Sequence, residues 1–451
     1  MRVIIVGAGT GGLCLAHGLR RAGIDVAVYE RDRTRADGLQ GYRVGIDPDG
    51  SRALAACLPP ELYATFVATC ARTPDRYNML TEQLAEVLSL DGFAANSDDP
   101  LNSEKSVSRM TLRQVLLTGL EDIVHFDKTF TRYERHPGGT VTAHFTDGTS
   151  AEGDLLVAAD GSNSRVRRQY LPRATLTPTG LVGITGKVPL TAATAELLTP
   201  RMLDGVNMVF APKGYSCIVH VMRFPWDADG APKEGIGSTD AELIAGWPGM
   251  QFDNSRDYIQ WGMGAAQRNL PPGVLEMTGP QLHELVAELT GSWHSHLREL
   301  FASTDPTTCF PLNIRTSAPI PQWQSGNVTL IGDAIHTMTP GRGVGANTAL
   351  RDARLLCGNL TAVRDGRMSL LEAVRGYETE MIGYGFDAVR KSLAQMSGDD
   401  PIHKPVIGRA VLAGMRTGMR VVNRLPPLRD RMAASQRRYR GHDREQQAAR
   451  S

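Results

Sequence analysis

The sequence predicts an α/β fold: a Rossmann-like unit interleaved with a mostly antiparallel β-sheet, then a C-terminal helical segment. Three observations carry this reading. Val3–Val6, the amphipathic Gly12–Ala22 and Val26–Tyr29 form strand, helix and strand within about thirty residues, the βαβ unit of a parallel sheet. From about residue 176 to 318, short apolar runs in alternation replace that pattern. Beyond about residue 346 the periodicity is helical.

Gly23 ends the first helix and Glu30 closes the second strand. Residues 51–72 read as helical with a break at Pro59-Pro60, and 95–105 as a polar loop. Thr111–Leu120 returns to helical spacing. His136–Gly153 reads as a hairpin, because Val141–Phe145 alternates and Asp147-Gly148 is a two-residue turn signal; strand Leu155–Ala158 follows. In the second region Gly183–Val188, Val206–Phe210, Cys217–Phe224 and Tyr258–Gly262 read as strands, with Lys213-Gly214 turning between two of them. Helices are expected at 279–290 and 293–302, a strand near Phe310–Thr316, and a new strand-turn-helix unit from Val328–Ile331. The expected domains are a discontinuous nucleotide-binding domain (1–175 with 319–390), a β-sheet domain for substrate (176–318) and a basic helical segment (391–451).

The chain has 451 residues, 41% of them hydrophobic, enough for two or three domains with sizeable cores. Its net charge of +1 argues against a general nucleic-acid binder. That total hides an asymmetry. Pro401–Ser451 holds 12 Lys+Arg against 3 Asp+Glu, so residues 1–400 carry 37 − 45 = −8. The six cysteines (Cys14, Cys57, Cys70, Cys217, Cys309 and Cys357) contain no C-x-x-C pair, which weighs against disulfide scaffolding and cysteine-rich metal sites. Glycines interrupt the apolar run of MRVIIVGAGTGGLCLA, so it does not read as a signal peptide, and no apolar stretch is long enough to span a membrane. The cytoplasm is the expected location.

Gly7-Ala8-Gly9-Thr10-Gly11-Gly12 fits G-x-G-x-x-G at a strand-to-helix junction. Gly7 permits the tight turn, Gly9 lets backbone approach a pyrophosphate, and Gly12 allows close helix–strand packing. Glu30, 18 residues after Gly12, is placed to accept from ribose hydroxyls, with Arg31 beside it. The motif predicts a dinucleotide site without separating FAD from NAD(P). Two further segments also carry acids directly after strands. They are Asp160-Gly161-Ser162-Asn163-Ser164-Arg165-Val166-Arg167, and Gly332-Asp333-Ala334-Ile335-His336 with Pro340, Gly341, Gly343, Gly345, Asn347 and Asp352 behind it. Asp333 falls at the strand edge where α/β sheets bind ligands. Gly343–Asn347 opens a helix whose free N–H groups favour negative charge.

On these three motifs, spread over residues 1–355, the chain resembles the single-component flavoprotein monooxygenases of the para-hydroxybenzoate hydroxylase type. The resemblance implies FAD as cofactor, with Asp160 in the segment serving FAD and NAD(P)H approach and Asp333 on flavin ribityl or ribose hydroxyls. Pro340, Gly343, Gly345, Ala346 and Asn347 would lie against the isoalloxazine. In R-x-x-L-R-x-x-L it implies an arginine at the FAD phosphates, Arg113 first and Arg109 second, and Arg43 as a flavin or NAD(P)H contact. NAD(P)H, with NADPH preferred, would reduce the flavin. O2 would then form a C4a-hydroperoxide whose distal oxygen passes to a small organic substrate, aromatic or polycyclic. No motif fixes a catalytic acid or base, and no metal is implied. Epoxidation of a prenylated substrate and a same-fold FAD reductase stay open as alternatives, with a non-catalytic flavin binder behind them. Gly246-Trp247-Pro248-Gly249 does not supply the G-W-x-W-x-I-P of FAD-dependent halogenases.

Met208, Phe210, His220, Met222 and Trp261 are the candidates to line the substrate pocket, each also a plausible core residue. His336 reads as a packing or hydrogen-bonding residue. Val406–Met432 interleaves Val, Leu and Met with Arg409, Arg416, Arg420, Arg424, Arg429 and Arg431. The favoured expectation is a helix packed on the acidic body with its arginines partly paired and its end frayed; peripheral membrane contact is the less favoured one. The family includes monomers and dimers, so no oligomeric state is assigned.

Overall fold

The computed structural model describes residues 1–35, 41–92, 99–225 and 257–439. The start of the expected 95–105 loop, the Gly246–Gly249 segment and the end beyond residue 439 lie outside these.

Five parallel strands run in the order Val328–Leu330, Leu155–Ala158, Arg2–Val6, Asp25–Tyr29 and Val124–His125. Val3, Ile4, Ile5, Leu155, Leu156 and Val157 are fully buried, as β-branched and leucine-rich runs must be when both faces of a sheet are covered. Helix Thr10–Arg21, with Gly345–Arg364 and then Leu370–Leu393 packed beside it, lies over the face that carries Ile5, and strand Ser150–Gly153 lies against the face that carries Ile4. The expected 51–72 helix is two helices, Pro48–Cys57 and Pro60–Ala68, divided at the proline pair. The Asp147-Gly148 hairpin is present, with Gly148 at φ +81°. It gains a third strand, Phe130–Arg135, whose irregular burial hid it from alternation.

The second sheet has seven strands: Phe310–Ser317, Leu176–Pro189, Tyr258–Ala266, Ser216–Met222, Gly205–Phe210, Arg76–Thr81 and Glu86–Asp91. All neighbours pair antiparallel except Gly205–Phe210 with Arg76–Thr81. The last two strands come from within residues 1–175, so this sheet draws on sequence outside the 176–318 stretch. Their pairing with residue 205 onward is non-local, and no pattern inside residues 76–91 announces it.

Pleating divides the sheet into unlike faces. Val209, Cys217, Val219, Val221, Ile259 and Met263 pack beneath helices Gly279–Leu289 and Ser295–Ala302. Trp261 belongs to this face and corrects one expectation. It is fully buried, its indole N–H donates to Thr304 Oγ1 at 2.8 Å, and its ring meets Phe301 edge-on at 5.2 Å. It cannot line a pocket on the other side. Met208 in register with Ile218 and Gly262, and Val206 with His220 and Gln260, make the opposite face, which turns toward the parallel domain.

The C-terminal helices Ile407–Arg424 and Pro426–Tyr439 brace the outer hairpin of this sheet. Met415, Met419 and Val422 pack on Met79, Val87, Leu88 and Leu90, and Ser89 N–H donates to Asn423 Oδ1 at 3.0 Å. Arg416 reaches Glu82 and the Phe210 carbonyl.

Trp261→Ala should lower unfolding free energy by about 3–5 kcal/mol, the cost of emptying a packed aromatic site. Denaturant melts of purified protein measure it. Unchanged stability with altered substrate affinity would return Trp261 to the pocket.

Candidate active site

Four strands of the parallel sheet end along one edge, and each is followed within three residues by a glycine or acid of the motifs. Val6 leads to Gly7, Tyr29 to Glu30, Ala158 to Asp160 and Leu330 to Asp333. From Arg2–Val6 the chain goes outward to Asp25–Tyr29, then returns on the other side as Leu155–Ala158. Such a reversal opens a crevice at the strands' carboxyl ends.

The glycine turn packs its back and opens its front. A Cβ on Gly12 would lie 2.3 Å from the Gly7 carbonyl oxygen, and one on Gly7, at φ +108°, 2.4 Å from that of Ala159. A Cβ on Gly9 would meet nothing nearer than 4.0 Å. The open side faces the start of helix Thr10–Arg21, whose free N–H groups suit an anion. Glu30 is buried, its Oε2 accepting from Ala8 N–H at 2.5 Å and Oε1 from Asp32 N–H at 3.0 Å. Each oxygen keeps a lone pair for a sugar hydroxyl. Arg31 is exposed beside it.

The two later acids differ in how they are held. Asp160 Oδ2 caps helix Arg165–Tyr170 by accepting from Arg165 N–H at 2.8 Å, while Oδ1 is buried with no partner. Burial raises its pKa, and the helix N–H bonds work against that. Asp333 is open to solvent yet walled by protein, and this desolvation pushes its pKa up against the pull of His336, Arg109 and Arg167. Its carboxylate has no hydrogen-bond partner among the described residues, and neither has the exposed Arg109 guanidinium nearby. An acceptor and a cation left open in one cleft fit a polyhydroxyl chain and a phosphate, so the residues present suit FAD.

The turn carrying Asp333 is fixed from behind by a residue that the sequence reading named only as part of a motif. Fully buried Asp352 accepts from Gly332 N–H at 2.7 Å and from the Tyr384 hydroxyl at 2.5 Å, and bonds His336 Nε2 at 2.6 Å. Burial alone would discharge His336, but Asp352 and Asp333 outweigh it, and its pKa stands above the ordinary value. Arg167 joins the two acid turns, donating to Ala334 O and Ser162 O at 2.8 Å each.

The remaining candidates fall into place around this edge. Arg113 pairs with Asp32 at 2.7 Å, so Arg109 is the arginine that faces the Asp333 cleft. Pro340 and Gly343 are exposed, Gly343 at φ +63°, and Gly345 opens its helix with no neighbour nearer than 3.8 Å to a Cβ. Ala346 is half-buried in the first turn of that helix. The Asn347 side chain serves the protein: Oδ1 accepts from Asp47 N–H at 3.1 Å, and Nδ2 donates to the Gly45 carbonyl at 2.9 Å. It ties the start of helix Gly345–Arg364 to strand Arg43–Ile46. Arg43 in turn joins the sheets, its N–H donating to Gln260 Oε1 at 3.1 Å and its Nε to Ser106 Oγ at 2.6 Å. Ser106 Oγ also lies 3.3 Å from His220 Nε2 and 3.4 Å from Met222 Sδ. His220 and Met222 are thus buried at this junction, Met208 is half-buried on the open face, and Phe210 packs against the C-terminal helices. Ser106 and Gln260 were missed because only the pairing of strand Arg43–Ile46 with Lys105–Ser108, and the meeting of that pair with the seven-stranded sheet, brings them to Arg43. Among the described residues no cluster could hold a metal.

Residues 112–381 match the model of the FAD binding domain family, and residues 5–36 match an NAD(P)-binding Rossmann-like domain. A dual O-methyltransferase/FAD-dependent monooxygenase of Cercospora beticola, CTB3, is 32% identical over 84% of this chain, which spans only 44% of that longer relative. The FAD-dependent urate hydroxylase of Klebsiella pneumoniae is 29% identical over 87% of this chain and 88% of its own. A crystal structure from Photorhabdus luminescens, assigned as an FAD containing monooxygenase, is 33% identical and superposes with TM-score 0.73 over 87% of this chain and 97% of that one.

Asp333→Ala should lower the flavin content of purified protein about tenfold, one charge-assisted contact's worth, while full occupancy would remove the assignment. Asp352→Ala leaves the buried His336 ring, the Gly332 N–H and the Tyr384 hydroxyl without their shared partner and should cost about 3–5 kcal/mol in a melt. Because the folded pKa of His336 is raised, its pair with Asp352 stabilises fully below the free imidazole range and is lost as pH rises through the raised value. The stability gap between wild type and His336→Gln should therefore narrow toward alkaline pH; a gap that widened would refute the charged pair. With its three fingerprints gathered at one sheet edge and a family model matched over residues 112–381, the chain belongs to the FAD binding domain family, among the flavoprotein monooxygenases of the para-hydroxybenzoate hydroxylase type.

Proposed function

We propose that the chain inserts one oxygen atom from O2 into a small aromatic or polycyclic substrate, using FAD and NAD(P)H, with NADPH the preferred donor. The observation that carries this is the meeting of loop Pro340–Gly345 with the open face of the seven-stranded sheet. Met396 would touch a Cβ on either Gly341 or Gly264, so loop and sheet stand one side chain apart. Gly262 and Gly264 carry no side chain on that face, and Ile218, Ser216 and Met396 stand close against them beside Met208.

The bound flavin supplies the redox chemistry with O2. The chain's part is to hold and shield. Gly9 and the start of helix Thr10–Arg21 receive the pyrophosphate, Asp333 accepts from hydroxyls, and Arg109 offsets phosphate charge. The unpaired N–H groups opening helix Gly345–Arg364 would favour negative charge on a group held there. Met208, Ile218 and Met222 keep water from the reacting atoms, while Arg43, His220 and Gln260 make the polar end of the cleft. The working division is a nucleotide-binding domain, 1–175 with 319–390, that lends its 76–91 hairpin to the substrate sheet of 176–318. Epoxidation of an alkene is the second reading, favoured by 28% identity to the zeaxanthin epoxidase of Oryza sativa.

Purified protein should be yellow, and a true substrate should speed NAD(P)H oxidation with matching O2 uptake. Mass spectrometry of a panel of phenols, quinones, indoles and prenylated compounds should show gain of one oxygen atom, labelled when the gas is labelled. Oxidation of NAD(P)H that reduces the substrate and never oxygenates it would make the protein a reductase.

A further inference from the structure

The segment between helices Leu370–Leu393 and Ile407–Arg424 leads from the parallel domain to the outer hairpin of the seven-stranded sheet. Backbone anchors it twice on the way. Gly398 N–H donates to the Thr179 carbonyl at 2.8 Å, and a Cβ on Gly398 would lie 2.6 Å from the Gly180 carbonyl oxygen. Further on, His403 covers Gly214, where a Cβ would lie 3.0 Å from the His403 Cα. Asp400 curls the chain between these anchors, accepting from Ser397 N–H on Oδ2 and from His403 N–H on its carbonyl, at 3.0 Å each. Neither anchor uses the side chain of Met396, which stands just before the first.

That side chain fills a gap walled by backbone. A Cβ on Gly341, in loop Pro340–Gly345, would meet Met396 Cβ at 3.4 Å and Sδ at 3.5 Å. Beyond the chain neighbours of Gly341, no other described residue comes within 4 Å of that point. A Cβ on Gly264, on the open face of the sheet, would meet Met396 Cε at 3.7 Å and Ser216 Oγ at 2.9 Å. Met396 also packs on Leu181, Ala266 and Ile314, which stand in register on the same face. With glycine on the loop and glycine on the sheet, the width of the gap follows residue 396. Methionine, unbranched and flexible, suits such a filling role.

A second bridge closes the other end. Arg43 N–H donates to Gln260 Oε1 at 3.1 Å. Gln260, Gly262 and Gly264 alternate along one strand and share the open face. From Gln260 to Gly264 is about 13 Å of extended chain. The Gln260 end is polar, with Arg43 and His220 beside it, and the Met396 end is apolar. We propose that Met396 is the end wall of the substrate cleft and determines how large a ring system the chain accepts. The substrate it fits is aromatic, with a polar substituent toward Gln260 and its apolar rings toward Met396. This rests on the reading that a small aromatic molecule enters between loop Pro340–Gly345 and the sheet.

Titration of the FAD-loaded protein with phenol, 2-naphthol and 2-hydroxyanthracene tests the wall, followed by the change in flavin visible absorbance, with no NAD(P)H present. Met396→Ala should strengthen binding of 2-hydroxyanthracene relative to phenol about tenfold, the scale on which an apolar pocket discriminates by size. Met396→Phe should shift that ratio by a similar factor the other way. Met396→Leu, close in volume, should keep the wild-type ratio. A side chain that served stability alone would move all three probes together. Flavin content should match wild type in each variant, and Met396→Phe carries the test should Met396→Ala fold poorly. An unchanged ratio in both variants, a shift of the same sign in both, or no binding of any probe overturns the proposal. The titration does not depend on oxygen transfer. A protein that sorts probes by residue 396 yet only reduces its substrate would lose the oxygenation reading and keep the wall.

Discussion

A side chain on Gly7 or Gly12 would strike backbone oxygen, and this close approach of one turn to another positions the rest of the site. Because Gly12 lies against Gly7 and Gly7 against Ala159, strands Arg2–Val6 and Leu155–Ala158 are held with their carboxyl ends level. The Asp160 turn follows at once from the second of these, and the Asp333 turn from its other neighbour, Val328–Leu330. Three segments far apart in sequence thus present their acids to one crevice. Backbone contact of this kind does not relax as a side chain would, so the spacing of the three turns is strictly held.

Behind that edge the protein treats similar residues in opposite ways. Asp352 is sealed and given several partners, so it acts as a fixed post for the Gly332 turn, for His336 and for Tyr384. Asp333, on the same turn, is left without a partner and facing outward. The contrast follows from the energetics of burial. A buried carboxylate without donors is costly, so a sealed one must be satisfied internally, whereas one in an open cleft can wait for a ligand. Asn347 repeats the logic: its amide is spent on Asp47 and Gly45, so its contribution to the cleft is the placement of its helix rather than a contact of its own.

The neutral net charge of the chain averages two unlike parts, and the helix that carries much of the basic part uses its faces separately. One face repairs the exposed edge of a seven-stranded sheet, which would otherwise offer unpaired backbone to other chains. Others leave apolar and cationic groups in water. Composition records both as a single basic tail.

The sequence by itself determined the βαβ unit and the three acid-bearing turns, while FAD as cofactor followed from their resemblance to a known family. The unit and the turns rest on local rules: glycines where backbone must close, acids directly after strands, apolar runs of strand length. Tertiary structure decided what depends on pairing between distant segments. It assigned Arg76–Asp91 to the second sheet and turned Trp261 into the core by the parity of a strand. It also gave Arg113 to Asp32, left Arg109 at the cleft, and brought Ser106 and Gln260 to Arg43. Strand register and the outcome of competing ion pairs are set by partners tens to hundreds of residues away. A residue's own neighbours in sequence carry no record of them, and so the face it turns to the cleft is fixed only when the sheets close.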